Sequence, residues 1–201
     1  MRLGFGSVVL GAGLSAILSF SFLALAIGTE YWYIIEDNRA NHTDPQHVHS
    51  GLWGVEIDDQ PFTADPPMFS ETERHMKNMH DVIAVLLPLS LVLLVFGGIC
   101  AMASSMARSR LLLMGTASYF LLCSVLTLSG ISLYISYSQK ALEEAKLRIG
   151  LEQMAHIHTS FGWSMGFAWI SFILEVITGL LLLLAGRIVQ LAQYQETVAP
   201  I

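Results

Sequence analysis

The chain has 201 residues, of which 54% are hydrophobic and 13% charged, with a net charge of −6 and a mean hydropathy of +0.58. A soluble domain carries about a quarter charged residues, so a water-soluble globule is excluded, and a pI near 5.5 gives no support for nucleic-acid binding. No charge falls between Leu3 and Thr29, Val82 and Ala107, or Leu111 and Gln139, and Glu175 is the only charge from Thr159 to Gly186.

About 20 apolar residues suffice to cross a ~30 Å hydrocarbon core. The four runs therefore read as spanning helices at 3–28, 82–107, 111–138 and 160–186, in a single domain covering 1–201. Arg2 and Ala24-Leu25-Ala26 offer the ends of a cleavable signal peptide, but the first run is about twice the usual hydrophobic length, so it reads as a retained span. Gly4-Phe5-Gly6 within it has no following phosphate-loop pattern and reads as helix packing.

A polar loop, 29–81, follows. Glu30-Tyr31-Trp32-Tyr33-Ile34-Ile35-Glu36 is rich in strand formers, and His49 to Asp58 is a second candidate strand loosened by Gly51 and Gly54. Asp37-Asn38, Asp44-Pro45 and Asp65-Pro66-Pro67 are turn and breaker signals. Asn41-His42-Thr43 is an N-glycosylation sequon. Spans two and three are joined by the short link 108–110. Past span three, Leu142, Ala145 and Ile149 share a helical face and Glu144 pairs with Arg148 at i,i+4, so the helix should continue until Gly150. Leu151–His158 is a further candidate strand in the second loop, 139–159. Span four opens with Gly162-x-x-x-Gly166, a helix-packing spacing, and the tail is 187–201.

With four spans, both termini and the 108–110 link share one side. That side carries Arg2, Arg108, Arg110 and Arg187 against Glu196 alone, whereas the long loop is acidic. The positive-inside rule then places both termini in the cytoplasm and both loops, with Asn41, outside. Tyr31, Trp32, Tyr33, Tyr134, Tyr137 and Trp163 mark the outer interface as an aromatic belt.

Glu175 is alone in span four. A charge there costs about 2.5–3.5 kcal/mol on insertion scales, so it should face the bundle, protonated, with Ser15 and Ser124 at matching depth to satisfy it. Cys100 and Cys123 lie within spans, where they read as small core residues rather than disulfide partners. All seven histidines fall on the outer side. His47 and His49, like His156 and His158, have the i,i+2 spacing of one strand face; solvated imidazoles are the reading, with a zinc or pH-responsive site the alternative. No HExxH, GxSxG, CxxC or Walker pattern occurs, so no enzyme, cofactor or metal is expected.

"GTEYWYII", "HSGLW", "LLPLSLVLLVFGG", "SGISLYISYS" and "SFGWSMGFAWISFILE" together resemble the claudin and peripheral-myelin-protein superfamily, closest to its transmembrane protein 235 and 114 branch. The resemblance spans nearly all of the chain outside 36–47, 54–80 and the tail. It implies a left-handed-type four-transmembrane bundle carrying a small extracellular antiparallel β-sheet, with Trp32, Gly51, Leu52 and Trp53 as the sheet motif. The family pattern continues after Gly51-Leu52-Trp53 with two cysteines that form a disulfide. Here Gly54 to Pro61 contains none, so the expectation is that Trp32, Leu52 and Trp53 pack together in its stead. Glu56-Ile57-Asp58-Asp59 and the span-four face at Gly162 and Gly166 are then free to meet a partner. The resemblance implies a plasma-membrane protein of structural or adhesion type working through lateral or cell-contact interactions. The alternative is an auxiliary subunit of a channel or receptor, like the calcium-channel gamma relatives. The partners expected are the lipid bilayer, a membrane protein, or a second copy as a homo-oligomer.

Overall fold

Each charge-poor run folds as a long helix, because hydrocarbon offers backbone N–H and C=O groups no partner outside their own segment. The computed structural model describes residues 4–37, 46–53, 55–57, 71–149 and 157–198, with backbone alone at 35–37, 46–48, 55–57, 71–77, 144–149, 157–159 and 196–198. In chain order the elements are α1 (Phe5–Gly28), β1 (Tyr33–Asp37), β2 (Gln46–Ser50), β3 (Val55–Ile57), α2 (Glu71–Ala107), α3 (Arg110–Ile149), β4 (Ile157–Phe161) and α4 (Trp163–Val198). Four segments are long and apolar enough to cross a membrane: Phe5–Gly28, Asn78–Ala107, Arg110–Glu143 and Trp163–Gln195. The protein is a multi-pass membrane protein with a small antiparallel sheet.

The helices outrun the bilayer. At 40 residues and 1.5 Å per residue, α3 is about 60 Å long, twice the ~30 Å core. Its extension to Ile149 follows the amphipathic face of Leu142, Ala145 and Ile149. Pro88 lies inside α2 without ending it, as spanning helices allow when neighbouring groups take up the freed carbonyl. Between α2 and α3 stand only Arg108 and Ser109. Arg108 takes the left-handed conformation, φ 46°, that commonly closes a helix. The Ser109 carbonyl then accepts the Leu113 N–H at 3.0 Å, which opens α3.

The sheet order is β3-β2-β1-β4, every pair antiparallel. β1 pairs with β2 from Tyr33↔Ser50 to Asp37↔Gln46, and with β4 from Tyr33↔Phe161 to Asp37↔Ile157. One strand expectation needs correction. The 49–58 segment is not one strand: β2 and β3 pair back on each other, Val48↔Ile57 to Ser50↔Val55, with Gly51, Leu52 and Trp53 between them. Gly51, read as loosening a strand, instead follows directly on β2 where the chain turns back. The strand expected at 151–158 is described at Ile157–Phe161, ending three residues further than expected, while 151–156 lie outside the described residues.

The chain forms two compact units. One combines Met1–Leu23, Leu89–Leu128 and Trp169–Ile201; the other combines Ala24–Pro88 and Ser129–Ala168. In the first, Leu94, Leu113, Phe120 and Leu182 are buried, while Leu14, Leu122 and Ile173 are exposed, as faces turned to acyl chains should be. In the second, Trp32, Leu52, Ile83, Leu87, Ile131 and Tyr134 are the buried core.

Candidate functional site

The segment where α1 hands over to the sheet holds the residues that the sequence singles out. A helix ends with four carbonyls that have no intrahelical partner. Here three of them receive side-chain donors. Thr29 Oγ1 donates to the Leu25 carbonyl at 2.6 Å, the Trp32 indole to Ala26 at 2.7 Å, and the Trp53 indole to Ile27 at 2.9 Å. The two tryptophans, distant in sequence, are thus a shared cap on one helix.

Each residue of Gly51-Leu52-Trp53 has a separate physical task. A Cβ on Gly51 would stand 2.7 Å from the Glu30 Cα, so only glycine lets the hairpin lie against the start of the first loop. Leu52 is fully buried. Trp53 makes its cap bond while staying 57% exposed. The expected packing of Trp32 with Leu52 and Trp53 is therefore corrected in part. Trp32 is 0% exposed, and the ring packed on it belongs to Tyr134 of α3, centroids 4.7 Å apart. Trp53, 57% exposed, is not part of that buried core.

The same junction is fastened to the entry of α4. The Trp32 N–H donates to Ser50 O at 3.2 Å, Gly162 N–H to Trp32 O at 3.0 Å, and Ser164 N–H to Tyr31 O at 3.3 Å. Thr29 Oγ1 and Ser164 Oγ lie 2.8 Å apart, and the Tyr31 and Trp163 rings stack with centroids at 5.3 Å. Gly162 precedes α4, and a Cβ there would collide with the Tyr31 carbonyl oxygen; at Gly166 a Cβ would meet nothing within 4 Å. The reading of Gly162-x-x-x-Gly166 as a helix-packing pair is thus corrected: Gly162 serves a backbone contact, and a Cβ on Gly166 would meet no described residue. Where α2 and α3 do come close, the small residues are Gly130, whose missing Cβ makes room for Leu87, and Gly97, which lies against Tyr119 and Phe120.

The other unit holds a run of intramembrane hydroxyls around Glu175, which is 0% exposed. Thr127 Oγ1 donates to the Glu175 carboxyl, 3.0 and 3.1 Å from its two oxygens, and Ser171 Oγ donates at 3.4 Å. Ser19 and Ser171 hydroxyls are 3.0 Å apart, and Ser15 and Thr178 hydroxyls 2.7 Å. So Ser15 and Ser124 are not the partners of Glu175. Ser15 is taken by Thr178, and Ser124 Oγ donates to Leu121 O at 2.8 Å on its own helix. The difference is one of azimuth: position 124 is turned about 100° from 123, whereas 127 lies about one turn along the face of 123. Spacing offered a signal: Ser15/Ser19 and Ser171/Glu175/Thr178 repeat at helical intervals on one face. Of the two cysteines, Cys123 is buried and Cys100 exposed; Cys100 is therefore not a core residue, because it lies on an outward side of α2.

Among the described residues no three His, Cys, Asp or Glu side chains converge to hold a metal. Asn41, His42, His156, Asp58 and Asp59 lie outside the described residues.

The sequence pattern of the family described as PMP-22/EMP/MP20/Claudin tight junction matches residues 17–184. The chain is also similar to the voltage-dependent calcium channel gamma-3 subunits of Rattus norvegicus, Mus musculus and Homo sapiens, 28% identical over 82% of this chain and 56% of theirs. It thus spans about half the length of the curated relatives it matches.

Proposed function

The chain belongs to the PMP-22/EMP/MP20/Claudin family, and from that premise we propose that it acts without enzymatic chemistry, through lateral or cell-contact interactions with other plasma-membrane proteins. One observation carries this reading. The cap on α1 leaves the Trp53 ring 57% exposed while its indole is held in place. A pre-positioned, accessible aromatic ring is the kind of anchor that protein interfaces are built around. The neighbouring Leu52 is fully buried, which anchors the backbone that carries Trp53 and reduces the ordering entropy that a partner must supply. In this reading both termini face the cytoplasm, the sheet and Asn41 face outside, and the resemblance of the five sequence blocks to the transmembrane protein 235 and 114 branch supports kinship with it.

A second reading, an auxiliary subunit of an ion channel or receptor, is favoured by the likeness to calcium channel gamma-3 subunits. Affinity purification from native membranes after mild cross-linking separates the two. Junction or adhesion proteins in the eluate, lost with Trp53→Ala, are the expected result. Channel or receptor subunits lost with the same substitution support the second reading instead. If no membrane protein depends on Trp53, the interaction reading is wrong.

A further inference from the structure

A groove runs along the bundle from the end where α1 begins and α2 ends. Two cavities, of about 650 and 320 Å³, share Val9, Ser105 and Met106 and so form one continuous space. Both volumes lie in the ~300–1,000 Å³ range of ligand sites, and every lining residue belongs to the first compact unit. The lining recurs every three or four residues on α1 from Phe5 to Ile17, and on α2 from Gly98 to Met106, one stripe on each helix. The twelve steps from Phe5 to Ile17 span about 18 Å, roughly one leaflet of a ~30 Å core.

The two ends of the groove differ in chemistry. Its deep part is lined by small and apolar residues, Ala12, Gly13, Ala16, Gly98, Ala101 and Leu182 among them, and holds no charge. Its mouth holds Arg108, whose guanidinium carbon stands 5.6 Å from the centre of the Phe5 ring. Arg108 follows directly on the span that ends at Ala107, so it stands at the membrane surface. Two further observations point to a ligand. Gly6, Gly13 and Gly98 line the groove, yet a Cβ on any of them would meet nothing within 4 Å. Glycine weakens a helix interior relative to alanine, and no described residue needs the space that these three leave. Arg108 has φ 46°, at a helix end where glycine is the usual occupant; a strained position given to a long cation points to a task for its side chain. Nor is a counter-ion at hand. Among the described side chains of this unit the only carboxylate is Glu175, which is 0% exposed and bonded to Thr127.

Arginine takes phosphate oxygens through paired N–H donors, and anionic lipids collect at basic residues beside spans. A sterol, with one neutral hydroxyl, would leave Arg108 without a counter-charge. We propose that the groove binds one anionic phospholipid, its phosphate on Arg108 and one acyl chain between the stripes of α1 and α2. The site depends neither on the protein's partner nor on which way the chain crosses the membrane.

The test uses the full-length protein, delipidated in a neutral detergent and titrated with dioleoyl lipids, with native mass spectrometry counting those bound. One phosphatidylserine per chain should bind at least about tenfold more tightly than phosphatidylcholine, a factor that one hydrogen bond to a charged group supplies. Arg108→Gln, equally strained in its backbone, should abolish the preference. Arg187→Gln, at an exposed arginine outside the groove, should retain it. Gly98→Leu fills the slot and should abolish the tight site. Gly115→Leu, at a glycine with equal room outside the groove, should bind as wild type, and the two lipid-free variants should unfold at similar temperatures. Phosphatidylserine should raise the unfolding temperature of the wild type, whereas glycerophosphoserine, the same headgroup without chains, should not. Equal affinity for the two lipids, a preference that survives Arg108→Gln or is lost equally in Arg187→Gln, or an equal rise with glycerophosphoserine or cholesterol would overturn the proposal.

Discussion

Trp32 and Trp53 make the same kind of bond to the same helix end, yet their substitutions should differ. Trp32 is fully buried against Tyr134, so Trp32→Ala should cost about 3–5 kcal/mol and leave the protein retained inside the cell. Trp53 is largely exposed, and Trp53→Ala should cost about 0.5–1.5 kcal/mol, the worth of its hydrogen bond, with normal arrival at the surface. Surface biotinylation of the two variants checks this; equal retention of both would mean that Trp53 is a core residue after all. At Glu175 the bonds come from Thr127 and Ser171. Glu175→Gln keeps an acceptor for both hydroxyls and should be nearly neutral. Glu175→Leu should cost about 1 kcal/mol, since hydrogen bonds between spans are modest. Thr127→Val should cost no more than Glu175→Leu, which also removes the Ser171 bond, and the double variant should lose little beyond Glu175→Leu, because the Thr127 bond is already gone there. Thermal unfolding in detergent reads all four, and additive losses would refute the pairing.

Between α1, the sheet and α4, the connections are short, and two glycines make them so. Gly51 admits the Glu30 backbone and Gly162 admits the Tyr31 carbonyl. Gly162→Ala should therefore destabilise by about 1–3 kcal/mol, as overpacking does. Gly166→Ala adds a methyl group where nothing lies within 4 Å and should be neutral or stabilising by up to ~1 kcal/mol, since alanine is the better helix former. Unfolding temperatures of the two variants decide the matter. The reverse ranking would restore the helix-packing reading of Gly162-x-x-x-Gly166. A neutral Gly166→Ala that nonetheless loses a partner in cross-linking would place that partner on α4.

For the whole molecule, topology is the property that the arginine distribution addresses and that sugar chemistry can test. Protein made in a secretory-pathway host should carry a glycan at Asn41. Treatment with peptide N-glycosidase should then shift its mobility, and Asn41→Gln should abolish the shift. Terminal tags should be reachable only after the plasma membrane is permeabilised. Tags accessible on intact cells, or a glycan that survives Asn41→Gln, would reverse or refute the orientation.

The four-pass architecture was legible in the amino-acid sequence alone, because bilayer thickness and the absence of charge act along the chain and need no knowledge of neighbours. The helical continuation to Ile149 was legible for a related reason: Leu142, Ala145 and Ile149 recur at the helical period. The motif Gly51-Leu52-Trp53 could be singled out, but its meaning could not. That the Trp53 indole finds Ile27, that Tyr134 rather than Trp53 covers Trp32, and that Thr127 rather than Ser124 meets Glu175 all depend on the rotation of one helix relative to another. Local periodicity sets which residues share a face, while packing sets what that face meets. Likewise, the i,i+2 histidines were visible as pairs on separate strands. Only the register of β2, β1 and β4 sets His47 and His158 on either side of Glu36, since strand pairing joins segments that the sequence holds more than a hundred residues apart.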